Sequence, residues 1–175
     1  MGDHQRQNYK VLMLGDAGVG KTALVRRFAH SIFDENYKAT LGVDMVPRII
    51  RSARHKVEAL LQLWDFSGQA LFGRLRARFY AGATGALLVY DVTQDRSFDR
   101  LERWLDELTV NVGRIPTLVV GNKMDLALLR QITDSEGNTF ASTLNTSHFS
   151  TSAKTGENVD LVFAELADGM MADLS

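Results

Sequence analysis

The 175-residue chain contains no cysteine, which excludes disulfides and thiolate metal sites and makes an intracellular, cytoplasmic setting the expectation. It carries no excess of charge of either sign: a net charge of −1 offers nothing to attract nucleic acid or a membrane surface as a whole, and no nucleic-acid partner is expected. Long apolar runs are missing, so no segment reaches the ~20 residues of a membrane span. Residues 1–10 lack the apolar core of a signal peptide. Gly2 could begin a myristoylation signal, but Arg6 stands where Ser or Thr is required. The final residues Ala172-Asp173-Leu174-Ser175 offer no cysteine to a prenyl group. Membrane association is therefore not encoded in this chain and would need a lipidated tail beyond it. Proline is scarce, and one of the two, Pro47, constrains the fold.

What is present is an ordinary globular composition, with 45% hydrophobic and 23% charged residues. One domain over residues 1–175 is expected, with a polar N-terminal extension at 1–8 and a sizeable core. Strand-like apolar runs alternate with helix-like periodic segments and no linker intervenes, which predicts a three-layer α/β domain with a mainly parallel sheet. Residues 42–52 and 57–64 read as extended segments joined by the short polar turn Ala53-Arg54-His55-Lys56, hence an antiparallel hairpin. Pro47 lacks a ladder donor and places the first of these strands at the sheet edge. Further strands are expected at 86–91, 117–121 and 148–151. One helix is expected over about 97–108, with Phe98, Leu101, Leu105 and Leu108 on its core face, and a last helix carries Val159, Val162, Phe163, Leu166 and Met170.

Gly15-Asp16-Ala17-Gly18-Val19-Gly20-Lys21-Thr22 fits G-x-x-x-x-G-K-[ST]. It follows the apolar run Val11-Leu12-Met13-Leu14 and precedes a helix-like stretch at 23–29, where a phosphate-binding loop has to lie. Its glycines let backbone N–H groups turn inward around phosphate oxygens, and the helix N-terminus adds its dipole. Lys21 supplies a point charge for the outer phosphates, and Thr22 offers a hydroxyl to Mg²⁺.

Three more segments carry chemistry. In Trp64-Asp65-Phe66-Ser67-Gly68-Gln69, Asp65 leaves a strand where it can hold Mg²⁺ through water. Gly68 can bring its N–H up to a γ-phosphate and Gln69 can orient an attacking water. In Asn122-Lys123-Met124-Asp125, the Asp125 carboxylate can accept from both the ring N–H and the exocyclic amino group of guanine. Adenine would leave that carboxylate unpaired, a mismatch worth about 10⁴-fold or more. Asn122 can tie the segment back to the phosphate loop, and Lys123 can lie along the base. In Thr151-Ser152-Ala153-Lys154, small residues let the backbone approach a base, with the Ala153 N–H available to the guanine oxygen and Lys154 shielding the ring.

These segments, with Thr40, stand in one order along nearly the whole chain, and together they resemble the Ras superfamily of small GTPases. Tyr37-Lys38-Ala39-Thr40-Leu41-Gly42-Val43-Asp44, Leu88-Val89-Tyr90-Asp91-Val92-Thr93 and residues 150–158 look Rab-like. The resemblance implies a P-loop NTPase domain whose six-stranded, mostly parallel sheet has one antiparallel edge strand and about five helices. It implies GTP/GDP and Mg²⁺ as cofactors, with Thr22 and Thr40 as metal ligands and Asp65 acting through water. Nucleotide contacts would come from Asp16, Ala17, Gly18, Val19, Gly20, Lys21, Thr22, Ala23, Phe33, Tyr37, Thr40, Gly68, Asn122, Lys123, Asp125, Ser152, Ala153 and Lys154. Gln69, Lys21 and Thr40 would be catalytic. Phe33 is similar to the aromatic that packs on the guanine, and Tyr37 to the one that covers the phosphates.

The implied activity is slow GTP hydrolysis that switches conformation to regulate partners in vesicle trafficking or signalling. Thr40 and Gly68 both lose their contact when the γ-phosphate leaves, so two segments relax. An exchange factor, an activating protein and effectors would meet a monomer at Met45, Trp64 and Phe79, where Met45 replaces the usual aromatic. No arginine of the matched motifs sits as an arginine finger in cis; Arg74, Arg76 and Arg78 read as solvated or partner-facing, so a partner is expected to supply one. Phe66-Ser67 replaces the usual Thr-Ala and Ala70 the usual Glu. Ala17 adds a methyl where that arginine would pass. A GTP-binding module with negligible hydrolysis is the alternative, and a P-loop kinase or ATPase conflicts with Asp125.

Overall fold

A computed structural model describes residues 7–35, 42–66 and 73–172, with the backbone alone over 73–76. Six strands form one sheet in the order β2-β3-β1-β4-β5-β6. They are β1 (Gln7–Leu14), β2 (Val43–Arg51), β3 (Glu58–Phe66), β4 (Gly85–Asp91), β5 (Thr117–Asn122) and β6 (His148–Ser150). Every pairing is parallel except β2 with β3. β2 is at the edge, as Pro47 requires, and Pro47 lies opposite Gln62.

The helices are α1 (Lys21–His30), α2 (Gly73–Tyr80), α3 (Asp95–Asp99), α4 (Leu101–Val112), α5 (Asp134–Thr143) and α6 (Val159–Ala172), with a 3₁₀ turn at Ala127–Leu129. The single helix expected over about 97–108 is longer and is divided at Arg100, whose backbone (φ −87°, ψ −1°) leaves regular helix for one residue. Counted as one broken helix, α3 and α4 give the expected five among the described residues.

Strand side chains alternate between two cores, because successive residues point to opposite faces. Val11, Met13, Leu61, Leu63, Leu87 and Val89 pack with α1 and α6, where the Phe28 and Phe163 rings stack with centroids 4.1 Å apart. Leu12, Leu14, Leu88, Tyr90 and Val119 pack on the other side with Trp104, Leu108 and Tyr80. β4 is buried along its whole length, as a central parallel strand between two helical layers must be. The C-terminal ends of β1, β3 and β5 all open toward one edge of the sheet, because these strands run parallel. The loops that leave them are those that carry the chemistry.

Candidate functional site

The turn from β1 into α1 is shaped by glycines. Gly20, at φ +102°, is the N-cap of α1, and a Cβ there would lie 2.2 Å from Asn122 Nδ2. At Gly15 a Cβ would lie 2.1 Å from the Val89 carbonyl oxygen, so the loop leaves the sheet in contact with β4. Lys21 is buried, and its Nζ donates to the carbonyls of Gly15 (2.8 Å) and Asp16 (2.9 Å), which curls the loop around the ammonium. Ala17 and Gly18 are exposed on the outer side.

The Asp16 side chain faces away from this concavity. Its Oδ2 pairs with Arg100 at 2.9 Å and its Oδ1 accepts from Trp104 Nε1 at 3.0 Å, so the phosphate loop is fastened to α4. The sequence placed Asp16 among the nucleotide contacts. Its backbone lies on the loop, but its carboxylate has this other task.

Thr22 Oγ1 donates to Oδ2 of Asp65, which is buried at the end of β3. β1 and β3 run parallel with Met13 opposite Asp65, and this register brings the β3 carboxylate to the start of α1. A hydroxyl and a carboxylate, both oxygen donors beside a phosphate loop, are the donor set a Mg²⁺ ion prefers, so these residues fit the metal. Tyr37, Thr40, Gly68 and Gln69 lie outside the described residues, as do Ser67, Ala70 and the side chains of Arg74 and Arg76.

Asn122 is the joint between the loops. Its Nδ2 donates to the Val19 carbonyl (3.0 Å), and its Oδ1 accepts from Thr151 Oγ1 (3.1 Å) and the Ala153 N–H (3.2 Å). The tie to the phosphate loop is as the sequence anticipates. The Ala153 N–H, expected to be available to a base, is taken up by Asn122 instead, because the amide oxygen faces that turn once the nitrogen is committed to Val19.

Asp125 accepts from Ser152 Oγ at 2.7 Å, which orients its carboxylate. Lys123, at φ +68°, pairs with the buried Asp91 at 2.7 Å. Lys154 pairs with Glu35 at 2.9 Å, and that partner holds its ammonium pKa above the usual value. A cleft of about 300 Å³ is lined by Ala23, Phe33, Asn122, Lys123, Asp125 and Lys154, among others. Its size suits a purine, with Phe33 as the aromatic wall and the carboxylate of Asp125 at its side.

Sequence reasoning missed Arg27. From α1 its Nε donates to the Ala153 carbonyl (2.7 Å) and its Nη2 to the Lys154 carbonyl (2.5 Å). The only hint was an arginine pair, Arg26 and Arg27, inside the otherwise apolar run of α1, and a spacing of 126 residues between donor and acceptor hides the contact.

The family model of the Ras family matches residues 10–172.

The chain belongs to the Ras family.

It is 39% identical over 159 residues to the Ras-related protein SEC4 of Candida albicans, covering 90% of this chain and 75% of that protein. It is 42% identical over 159 residues to the Ras-related protein RABA1i of Arabidopsis thaliana, covering 90% and 72%. It is 36% identical over 160 residues to the Ras-related protein Rab-13 of Bos taurus, covering 91% and 78%. The sheet, with five parallel strands and one antiparallel, is that of the Ras-type P-loop GTPases, and the Rab-like resemblance is sustained by these relatives. As a member of this family the protein binds guanine nucleotide, is a GTPase, and works through regulators and effectors. No helix among the described residues is long and apolar enough to cross a membrane.

Proposed function

We propose that this Ras-family GTPase is a switch in vesicle trafficking, alternating between GTP-bound and GDP-bound states to recruit partners through β2, β3 and α2. The reading is carried by one observation: Asn122 joins the phosphate loop to a purine-sized cleft that has a hydrogen-bonded carboxylate at Asp125. Asp125 selects guanine, Phe33 packs on the base, and Lys123, Ser152 and Lys154 frame it. Backbone N–H groups over residues 16–23 and the Lys21 ammonium hold the phosphates.

Thr22, Thr40 and, through water, Asp65 hold Mg²⁺, which when bound neutralises charge on the phosphate oxygens. Gln69 orients a water for in-line attack on the γ-phosphorus, while Lys21 and the loop amides stabilise the charge that builds on the transferred group. Thr40 and Gly68 release their segments when the γ-phosphate departs. The Lys21 ammonium is held in the loop by the Gly15 and Asp16 carbonyls, which keeps its charge where the outer phosphates would lie.

Partners meet Met45 and Trp64, which lie opposite one another across β2 and β3, and Phe79, whose ring is 5.9 Å from Trp64. The adjacency of these apolar, partly exposed side chains supports that reading. Two measurements test the function. GTP and GDP should outcompete ATP by at least about 10⁴-fold for the purified protein, and tighter binding of ATP would overturn the guanine assignment. In single-turnover hydrolysis Gln69→Leu should slow γ-phosphate release by about 10²-fold; an unchanged rate would remove Gln69 from the mechanism.

A further inference from the structure

We infer that Arg27 is a positioning residue for base recognition: from α1 it holds the turn at Ala153 and Lys154 so that a backbone N–H of that turn meets the 6-oxo group of guanine. The inference rests on the guanine-nucleotide reading of the cleft and adds a residue to it.

The argument starts from the peptide planes. In a trans peptide the C=O and the following N–H point in opposite directions, and the described chain has no cis bond. Arg27 binds the Ala153 carbonyl at 2.7 Å through Nε and the Lys154 carbonyl at 2.5 Å through Nη2. This is the fork of a guanidinium closing on two successive carbonyls, a geometry a single ammonium cannot reproduce. Fixing the Ala153 carbonyl toward α1 turns the Lys154 N–H to the other side of the turn.

The neighbouring donors of the turn are committed. The Ala153 N–H goes to Asn122 and the Thr155 N–H to Ser152 Oγ at 3.0 Å. The Lys154 N–H has no acceptor among the described residues, and Lys154 lines the cleft together with Asp125. Asp125 accepts from the N–H and amino group on one edge of guanine, so a donor is needed for the oxygen beside them, and the Lys154 N–H supplies it. Arg27 itself lies behind the turn and touches no part of the base.

α1 is a rigid mount for this purpose. Its residues Leu24, Val25 and Phe28 are buried in the core, and Lys21 at its first turn holds the phosphate loop. One helix thus sets both the phosphate end and the base end of the site.

The test compares dissociation of GDP with that of 2-aminopurine riboside 5′-diphosphate, which keeps the exocyclic amino group but lacks the 6-oxo group and the N1 hydrogen, so each nucleotide is read as the factor by which a variant changes its release relative to wild type. It uses the full chain and the variants Arg27→Met, which keeps the apolar stem, and Arg27→Lys, which keeps the charge but not the fork. Arg27→Met should release GDP about tenfold faster than wild type, while release of the 6-deoxo analogue stays within about twofold. Arg27→Lys should fall between, with one carbonyl still held. If Arg27→Met speeds both nucleotides by the same factor, or neither, the positioning role is wrong. A wild type that retains GDP no better than ADP would overturn the guanine reading itself and the inference with it, so the two failures are told apart.

Discussion

Phe66 is the last residue of β3 and follows the buried Asp65. The ring is fully buried; it stacks on Tyr80 at 5.9 Å with planes 12° apart, and it lies 6.2 Å from Phe79. These contacts clamp the end of β3 to the last turn of α2. Its removal leaves a cavity between strand and helix, so Phe66→Ala should lower the free energy of unfolding by about 3 to 5 kcal/mol in urea titrations. Phe79→Ala should cost less, since Phe79 is only partly buried.

The residues legible in the sequence were those whose task is set by local spacing. The phosphate loop, Asp65 and Asn122 to Asp125 each sit where a strand ends, and their identity and position carry the chemistry without any distant contact. Arg27, Arg100 and Trp104 were not legible as site residues. Each acts on a segment far away in the chain, and nothing in local periodicity tells an arginine that faces water from one that holds a carbonyl.

At the scale of elements, α5 shows why a helix can escape notice. Its sequence, DSEGNTFAST, contains Gly137 and few apolar residues, so its hydrophobic stripe is faint. The signal that was there lies at its start, where Thr133 Oγ1 accepts from the Glu136 N–H (3.2 Å) and Glu136 accepts from the Thr133 N–H (2.8 Å). This reciprocal cap fixes the helix end. Gly137 then makes room for the His148 ring, since a Cβ there would come within 2.4 Å of its Nε2.

His148 on β6 is paired with the Tyr90 hydroxyl at 2.9 Å, and burial holds its imidazole below the usual 6.5, with Asp134 opposing that shift and Arg130 adding to it. Burial also pushes the Tyr90 phenol far above its normal range, so it stays a neutral partner. Because the folded pKa is depressed, the unfolded chain binds more protons over this window. The contribution is complete above about 6.5 and is lost as pH falls through the folded value. Between pH 7.5 and 5.5 the wild type should lose stability from this group as pH falls below about 6.5. Urea unfolding of His148→Gln should show a flatter profile over the same interval.

Over the whole molecule, α6 reaches beyond its own layer to the far end of the β2–β3 hairpin. Ser52, buried at the turn, donates to Asp168 at 2.5 Å, and His55 Nε2 lies 3.2 Å from the Asp168 carbonyl oxygen. Arg54 adds ionic contacts to Asp168 and Glu165 at 3.7 and 4.0 Å. The hairpin is thus held at its turn by α6. Asp168→Ala leaves the Ser52 hydroxyl without its acceptor and should destabilise by about 1 to 2 kcal/mol. The His55 amide, which donates to Ser52 Oγ at 2.9 Å, should exchange with deuterium faster in that variant, whereas amides of β4 keep their protection.

Asn122 gives the molecule a different kind of unity. One carboxamide supplies a bond to the phosphate loop and two to the base-side turn, so the two halves of the cleft share a single fixed point. Contacts that share a partner do not contribute independently. The free energy of holding a nucleotide therefore does not divide into a base share and a phosphate share. A change made under the base is felt at the phosphates, and loss of phosphate contacts loosens the grip on the base. Selectivity for guanine and the rate at which nucleotide departs are two readings of the same joint.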